Sequence, residues 1–133
     1  MMKTRAFTLV ELIVVTIIIG ILGSIAVPQF LVTQERALDN EARANLRLMR
    51  AAERQLRMET TVYSALANIA AINPALRLDI GAGTSWLYLT TATAGTACCA
   101  QATRNGGDGR TFRLRIAGGA GVDADPVLGG TCP

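Results

Sequence analysis

The sequence contains no histidine, which removes the side chain most often used as a general base near neutral pH. No nucleophile stands at a motif spacing from a base, and no glycine loop of the phosphate-binding kind opens a helix. In the C-terminal half the one acidic cluster is Asp123 with Asp125. Two carboxylates are few for calcium, which takes roughly six to eight oxygens, so a solvated turn is the preferred reading of that pair. Repeats and low-complexity tracts are absent, and aromatic residues make up only 5%. No enzyme, no cofactor and no metal site are expected, and 133 residues allow one domain.

What the chain does have is concentrated at its start. Residues 7–32 are predominantly apolar with a single charge, Glu11. As a helix that run spans roughly 39 Å, against about 30 Å for the hydrocarbon core of a bilayer. Lys3 and Arg5 precede it, which places the leader in the cytoplasm and everything after Val32 outside. Cys98, Cys99 and Cys132 all fall on that outer, oxidising side. The formal net charge of +3 says little about partners, because two of the positive charges lie in the leader.

An ionised carboxylate in hydrocarbon costs at least a few kcal/mol, so Glu11 needs a purpose and a partner. A secretory signal peptide, with "SIA" at Ser24 to Ala26 imitating its cleavage site, would have a shorter apolar region and no glutamate. A plain signal anchor fits the length and leaves Glu11 unexplained. Taken together, the basic leader "MMKTRA", the stretch "FTLVE", the apolar run and Pro28 resemble the type IV pilins and the type II secretion pseudopilins.

That resemblance implies a class III signal. A prepilin peptidase would cut between Ala6 and Phe7 and N-methylate Phe7, although Ala6 stands where the family nearly always has glycine. It also implies a partner for Glu11: the α-ammonium of Phe7 on a neighbouring subunit, which makes the Phe7/Glu11 charge pair an assembly and register device. The charge is then neutralised only when subunits dock. The plainer alternative is that Glu11 snorkels to the interface, about 6 Å along the helix from Phe7. Pro28 is expected to kink the helix, with Gly20 and Gly23 weakening the same region or serving close helix packing.

From Thr33 to Met58 the chain has neither glycine nor proline, so the helix continues. Leu31, Leu38, Ala42, Met49, Ala52 and Leu56 fall on one side as a face for covering a sheet. Arg36, Arg43, Arg47, Arg50, Arg54 and Arg57 form a stripe opposite it. Asp39–Arg43 and Glu53–Arg57 stand at the favourable i,i+4 spacing, so the stripe reads as solvated or intersubunit ion pairs, and nucleic acid is not expected as a primary ligand.

The remainder predicts a turn, a second helix ending near Pro74, and two strands of alternating pattern, "SWLYLTTA" and "RTFRLRIAG". Between them "TAGTACCAQATRNGGDG" reads as a turn-rich loop whose strongest signal is Asn105 to Gly109. The fold class is therefore α+β, a long N-terminal helix packed on a small antiparallel sheet, the ladle of the pilin fold. Its parts are a cleaved leader (1–6), an apolar transmembrane and assembly helix (7–32), an amphipathic continuation (33–59) and a sheet domain with a cysteine-bounded C-terminal loop (60–133). Cys132 is expected to bridge to Cys98 or Cys99. Strand alternation puts those two on opposite faces and leaves open which one meets the tail; Cys98 is taken first.

The resemblance implies a structural subunit of an extracellular type IV pilus serving adhesion, motility or DNA uptake, with a pseudopilin of a type II secretion system as the alternative. Its partners would be copies of itself in a helical filament, the prepilin peptidase, an inner-membrane assembly platform, and membrane lipid before assembly. Its location would be the bacterial inner membrane and then the extracellular filament.

Overall fold

A computed structural model of the chain describes residues 7–81, 85–93, 97–116 and 125–130. The cleavage-site residue Ala6, Asp123 and Cys132 lie outside the described residues. Contacts divide the chain into two compact units, residues 1–37 and 38–133, which are taken in turn.

The first unit is the opening of helix α1 (Leu9–Thr60). β-Branched residues dominate it, and what makes it helical is the satisfaction of every backbone group internally, the only economical state for such a chain in an apolar medium. Hydroxyls add local support: Thr16 Oγ1 donates to the Ile13 carbonyl (2.9 Å), Ser24 to Ile21 (2.7 Å) and Thr33 to Gln29 (2.9 Å). The helix passes through Gly20, Gly23 and Pro28 without interruption. Pro28 has no N–H for the Ser24 carbonyl, so one helical bond is missing at that point.

In the second unit, the rest of α1 packs on a four-stranded antiparallel sheet in the order β1 (Trp86–Thr93), β2 (Ala97–Arg104), β3 (Thr111–Ile116), β4 (Val127–Leu128). This is the α+β arrangement expected. Ala42, Leu46 and Met49, spaced four and three apart, are fully buried, with Ala52 and Leu56 packed beside them. They meet Trp86, Tyr88, Phe112, Leu114 and Ile116 from the inner face of the sheet. Trp86 and Phe112 pack at 5.5 Å between ring centres, and Trp86 Nε1 donates to the Leu38 carbonyl (2.9 Å). Both polar aromatic tips are satisfied, since Asn45 Nδ2 donates to Tyr88 Oη (2.9 Å).

Two elements, β2 and β4, differ from the sequence reading. "ACCAQATR", read as part of a loop, is the strand β2, paired along its length with β1 and over six residues with β3. Its alanines have little intrinsic strand preference, but Ala100 and Ala102 are fully buried, and their small size leaves room for the large side chains around them. The second helix, α2 (Ile69–Leu76), ends near Pro74 as expected, at Arg77, whose left-handed backbone (φ 53) closes it on the Asn73 carbonyl. The short β4 completes the sheet within the stretch read as a cysteine-bounded C-terminal loop. The expected turn is present: Gly106 and Gly109 both have φ +69, and the Arg104 N–H donates to the Arg110 carbonyl (2.8 Å) across it.

Candidate functional site

The candidate site is the start of α1 and the surface that follows it. Thr8 precedes the first helical residue, and its Oγ1 accepts the Glu11 backbone N–H (3.2 Å). In return Glu11 Oε2 accepts the Thr8 backbone N–H (3.2 Å) and the Thr8 hydroxyl (3.0 Å). This is a reciprocal capping box, the T-x-x-E pattern in which the N-cap hydroxyl and the third-position carboxylate each satisfy an orphan donor. A negative charge in the first turn is also favoured by the helix dipole. The signal was present in "TLVE" but was not read as a cap. It alters the question that Glu11 poses, because part of its partner lies inside its own chain. Phe7 and Thr8 lie outside the helix, ahead of its first residue.

Beyond the cap, every large apolar side chain from Phe7 to Val32 is between 45% and 73% exposed. Among the described residues α1 is the helix long and apolar enough to cross a membrane, by length and composition. A continuous apolar surface of this extent marks a membrane or protein interface. Gly20 and Gly23 face open space in the isolated chain.

The arginine stripe keeps exposed members, Arg36, Arg47 and Arg54, but part of it is also engaged within the chain. Arg43 stacks over the Phe112 ring (4.8 Å) and donates to the Pro126 carbonyl (3.4 Å), and Arg47 pairs with Asp125 (3.4 Å). Arg57 donates to Tyr63 Oη (3.1 Å) and lies over its ring (4.8 Å). Arg43, Arg47 and Arg57 are thus held by the globular unit or the loop after α1. Asp39, expected to pair with Arg43, meets Arg110 instead (3.2 Å). Arg110 also holds Asp108 (2.6 Å), whose hydrogen bond to it keeps that carboxyl below its usual range.

Glu53 is the larger correction. Read as a solvated partner of Arg57, it is fully buried: Oε2 accepts the Ser64 backbone N–H (3.2 Å) and Oε1 has no hydrogen-bond partner. Ser64 is held in turn by Thr90, whose hydroxyl donates to its carbonyl (2.8 Å). Desolvation raises the Glu53 carboxyl above the usual range, and the Ser64 N–H offsets only part of this. An acid raised on folding gives its full stability below the unfolded value of 4.5 and loses it as pH climbs through the folded value. Glu53→Gln should therefore gain on the parent protein as pH rises from about 4 to 8. Thermal melts at the two ends of that range check it, and a difference that is constant with pH would contradict it.

Cys98 is a free, buried thiol and Cys99 is disulfide-bonded, which corrects the expectation that took Cys98 first. Burial, with the Glu53 charge second, pushes the Cys98 thiol up to about 12, so it has almost no reactive thiolate at neutral pH. Among the described residues no cluster of three or more potential metal ligands occurs. Asp125, half of the pair considered for calcium, is engaged by Arg47.

Residues 1–27 match the family model described as the prokaryotic N-terminal methylation motif. The chain is also 42% identical over 66 residues to the Type IV major pilin protein PilA of Myxococcus xanthus. That match covers 50% of this chain and 30% of the relative. No solved structure gives a significant match.

Proposed function

From the N-terminal methylation motif matched over residues 1–27 and the partial likeness to a type IV major pilin, we propose that the chain is a structural subunit of an extracellular type IV pilus. The observation that carries this reading is the apolar surface of residues 7–32, exposed in the single chain and carrying one charge, the capped Glu11. Lipid covers such a surface before assembly, and neighbouring copies cover it afterwards. The subunit would sit in the bacterial inner membrane with its leader (1–6) in the cytoplasm. A prepilin peptidase would cut between Ala6 and Phe7 and methylate Phe7. The assembly platform would then draw the helix into a filament serving adhesion, motility or DNA uptake. Pro28, with Gly20 and Gly23, supplies a weak point at which the helix can bend on leaving the bilayer. Catalysis, a cofactor and a resident metal have no part in this reading.

The peptidase step has a physical basis at the cap. A protease binds its substrate extended, and the capping box sets the helix start after Thr8, so the bond before Phe7 lies outside the helix ladder. Intact-mass measurement should find a mature chain that begins at Phe7, carries one methyl group and has lost both leader charges. A chain beginning at Ala26 or Val27, or one retaining Met1, would refute the reading. Electron micrographs of sheared surface filaments, with mass spectrometry of their subunit, separate a pilus from the alternative: a pseudopilin of a type II secretion system would be missing from surface fibres and required for export of folded proteins.

A further inference from the structure

We propose that the outer end of the apolar helix carries a binding site for one anionic phospholipid, its phosphate held by Arg36 and Gln29 and its acyl chain laid along Ile25, Pro28 and Val32. The site rests on the reading of residues 7–32 as membrane-spanning before assembly and adds to it a defined head-group contact. Ile25, Pro28, Gln29, Val32, Thr33 and Arg36 line a shallow groove on α1. Their spacings of three, one, three, one and three keep them on a single helix face. The compact ring of Pro28 makes the hollow, with the longer side chains of Ile25 and Val32 one turn away on either side. Apolar side chains come first along the groove, and the polar ones, Gln29, Thr33 and Arg36, gather toward its far end.

The height of these groups in a bilayer follows from the other end of the helix. Before assembly the capped Thr8 and Glu11 belong at the cytoplasmic edge of the hydrocarbon, because an ionised carboxylate is costly inside it. A core of about 30 Å is crossed by about 20 helical residues, which places its outer edge between Pro28 and Leu31. The Arg36 backbone then lies roughly 8 to 12 Å beyond that edge. Helical side chains slant toward the N-terminus, so its guanidinium reaches back into the head-group layer, which is about 5 to 7 Å deep. Arg36 is exposed and, among the described residues, makes no hydrogen bond or ion pair. Glu35, the carboxylate next to it in sequence, stands about 100° round the helix and is engaged within the chain.

Charge and polarity select the occupant. A guanidinium holds a phosphate through two parallel N–H donors, a geometry that lysine lacks. The Thr33 hydroxyl is committed to the Gln29 carbonyl (2.9 Å), so the Gln29 carboxamide is the second donor. It stands lower than Arg36, at the level of the ester oxygens that join head group to acyl chain. Below both, Ile25, Pro28 and Val32 offer hydrocarbon to the chain itself. Phosphate above and hydrocarbon below is the order in which a phospholipid of the outer leaflet presents its parts. An anionic head group gains most, because a zwitterionic one carries its own cation beside the phosphate. The contact sets the depth at which the subunit waits and breaks when the helix leaves the bilayer.

The test reconstitutes the full chain in vesicles of equal parts phosphatidylglycerol and phosphatidylcholine, extracts it in a mild detergent, and counts the lipids it retains by native mass spectrometry. The parent chain should keep phosphatidylglycerol over phosphatidylcholine by about fivefold. Arg36→Gln should bring the two to parity, and Arg36→Lys should keep part of the preference. Arg115→Gln removes the same charge from an exposed position on β3 and should leave the preference intact. Pro28→Leu fills the groove with Arg36 in place and should lower retained phosphatidylglycerol by about fivefold. An unchanged preference in Arg36→Gln would overturn the site. So would an equal loss in Arg115→Gln, which would reduce the effect to a general attraction of a basic chain, or unchanged retention in Pro28→Leu. A chain that fails to float with the vesicles would overturn the membrane reading itself, and the site with it.

Discussion

Glu11→Leu is expected to be cleaved, to remain in the membrane, and to yield almost no filaments. The apolar run that holds the subunit in the bilayer gains from the change, because a carboxylate leaves it. The cost to the subunit itself is loss of the cap with Thr8. That is about 1 kcal/mol, small against a helix of 52 residues. Assembly loses more. If the α-ammonium of Phe7 is neutralised by a neighbour's Glu11, removing the carboxylate leaves a buried charge unpaired at about 3 to 5 kcal/mol per subunit. Every added subunit carries that loss, so a filament should fail to grow while monomers accumulate.

The capping box makes a sharper test available. Glutamine serves at the third position of such a box nearly as well as glutamate, so Glu11→Gln should keep the helix start and lose only the charge. Filament yield from sheared cells, normalised to processed subunit, separates the two roles. Yield near that of the parent protein in Glu11→Gln, with none in Glu11→Leu, would show that the cap matters and the intersubunit charge pair does not. Equal loss in both supports the charge pair.

How far the sequence could be read depended on whether a feature is local. The apolar run, its basic leader and the continuation to Thr60 are set by composition and period along one stretch of chain, and all were legible. The same holds for β1, β3 and the glycine turn between β2 and β3, where period-two alternation or a need for positive φ leaves a mark in the residues themselves. β2 was not legible, because a central strand of small residues is chosen by the bulk of its neighbours: Ala100 and Ala102 fit where Trp86, Phe112 and Leu46 leave little space. Glu53 was misread for a related reason. Its spacing from Arg57 is that of a surface pair, and only the fold brings Ser64 and Cys98 against it. The arginine stripe was misassigned in part because the tail that meets it, Asp125 and Pro126, lies about 80 residues away in sequence. The cap at Thr8 and Glu11 differs from these; its pattern is local and could have been recognised.

The cysteines could not be assigned from sequence, yet the sheet register assigns them. Cys98 lies on the inner face with Ala100 and Ala102, and Cys99 on the outer face with Gln101. Across the ladder Gln101 faces Arg113 and accepts its Nε–H (3.0 Å), while Arg113 Nη1 donates to the Gly130 carbonyl (2.6 Å). The tail therefore reaches the outer face two residues before Cys132 and one strand position from Cys99. The expected disulfide is Cys99 with Cys132, and peptide mapping without reduction should find it, with Cys98 alkylated only after unfolding. By the loop-closure estimate, linking these positions takes roughly 4 kcal/mol of chain entropy from the unfolded state. Cys99→Ser should therefore lower unfolding stability by an amount of that order and release the tail from Arg113. Cys98→Ala removes one buried sulfur from the opposite face and should cost about 1 kcal/mol. Denaturant titration of the two variants decides the matter: a loss in Cys98→Ala as large as that in Cys99→Ser, or a peptide map joining Cys98 to Cys132, would place the tail on the wrong face of the sheet.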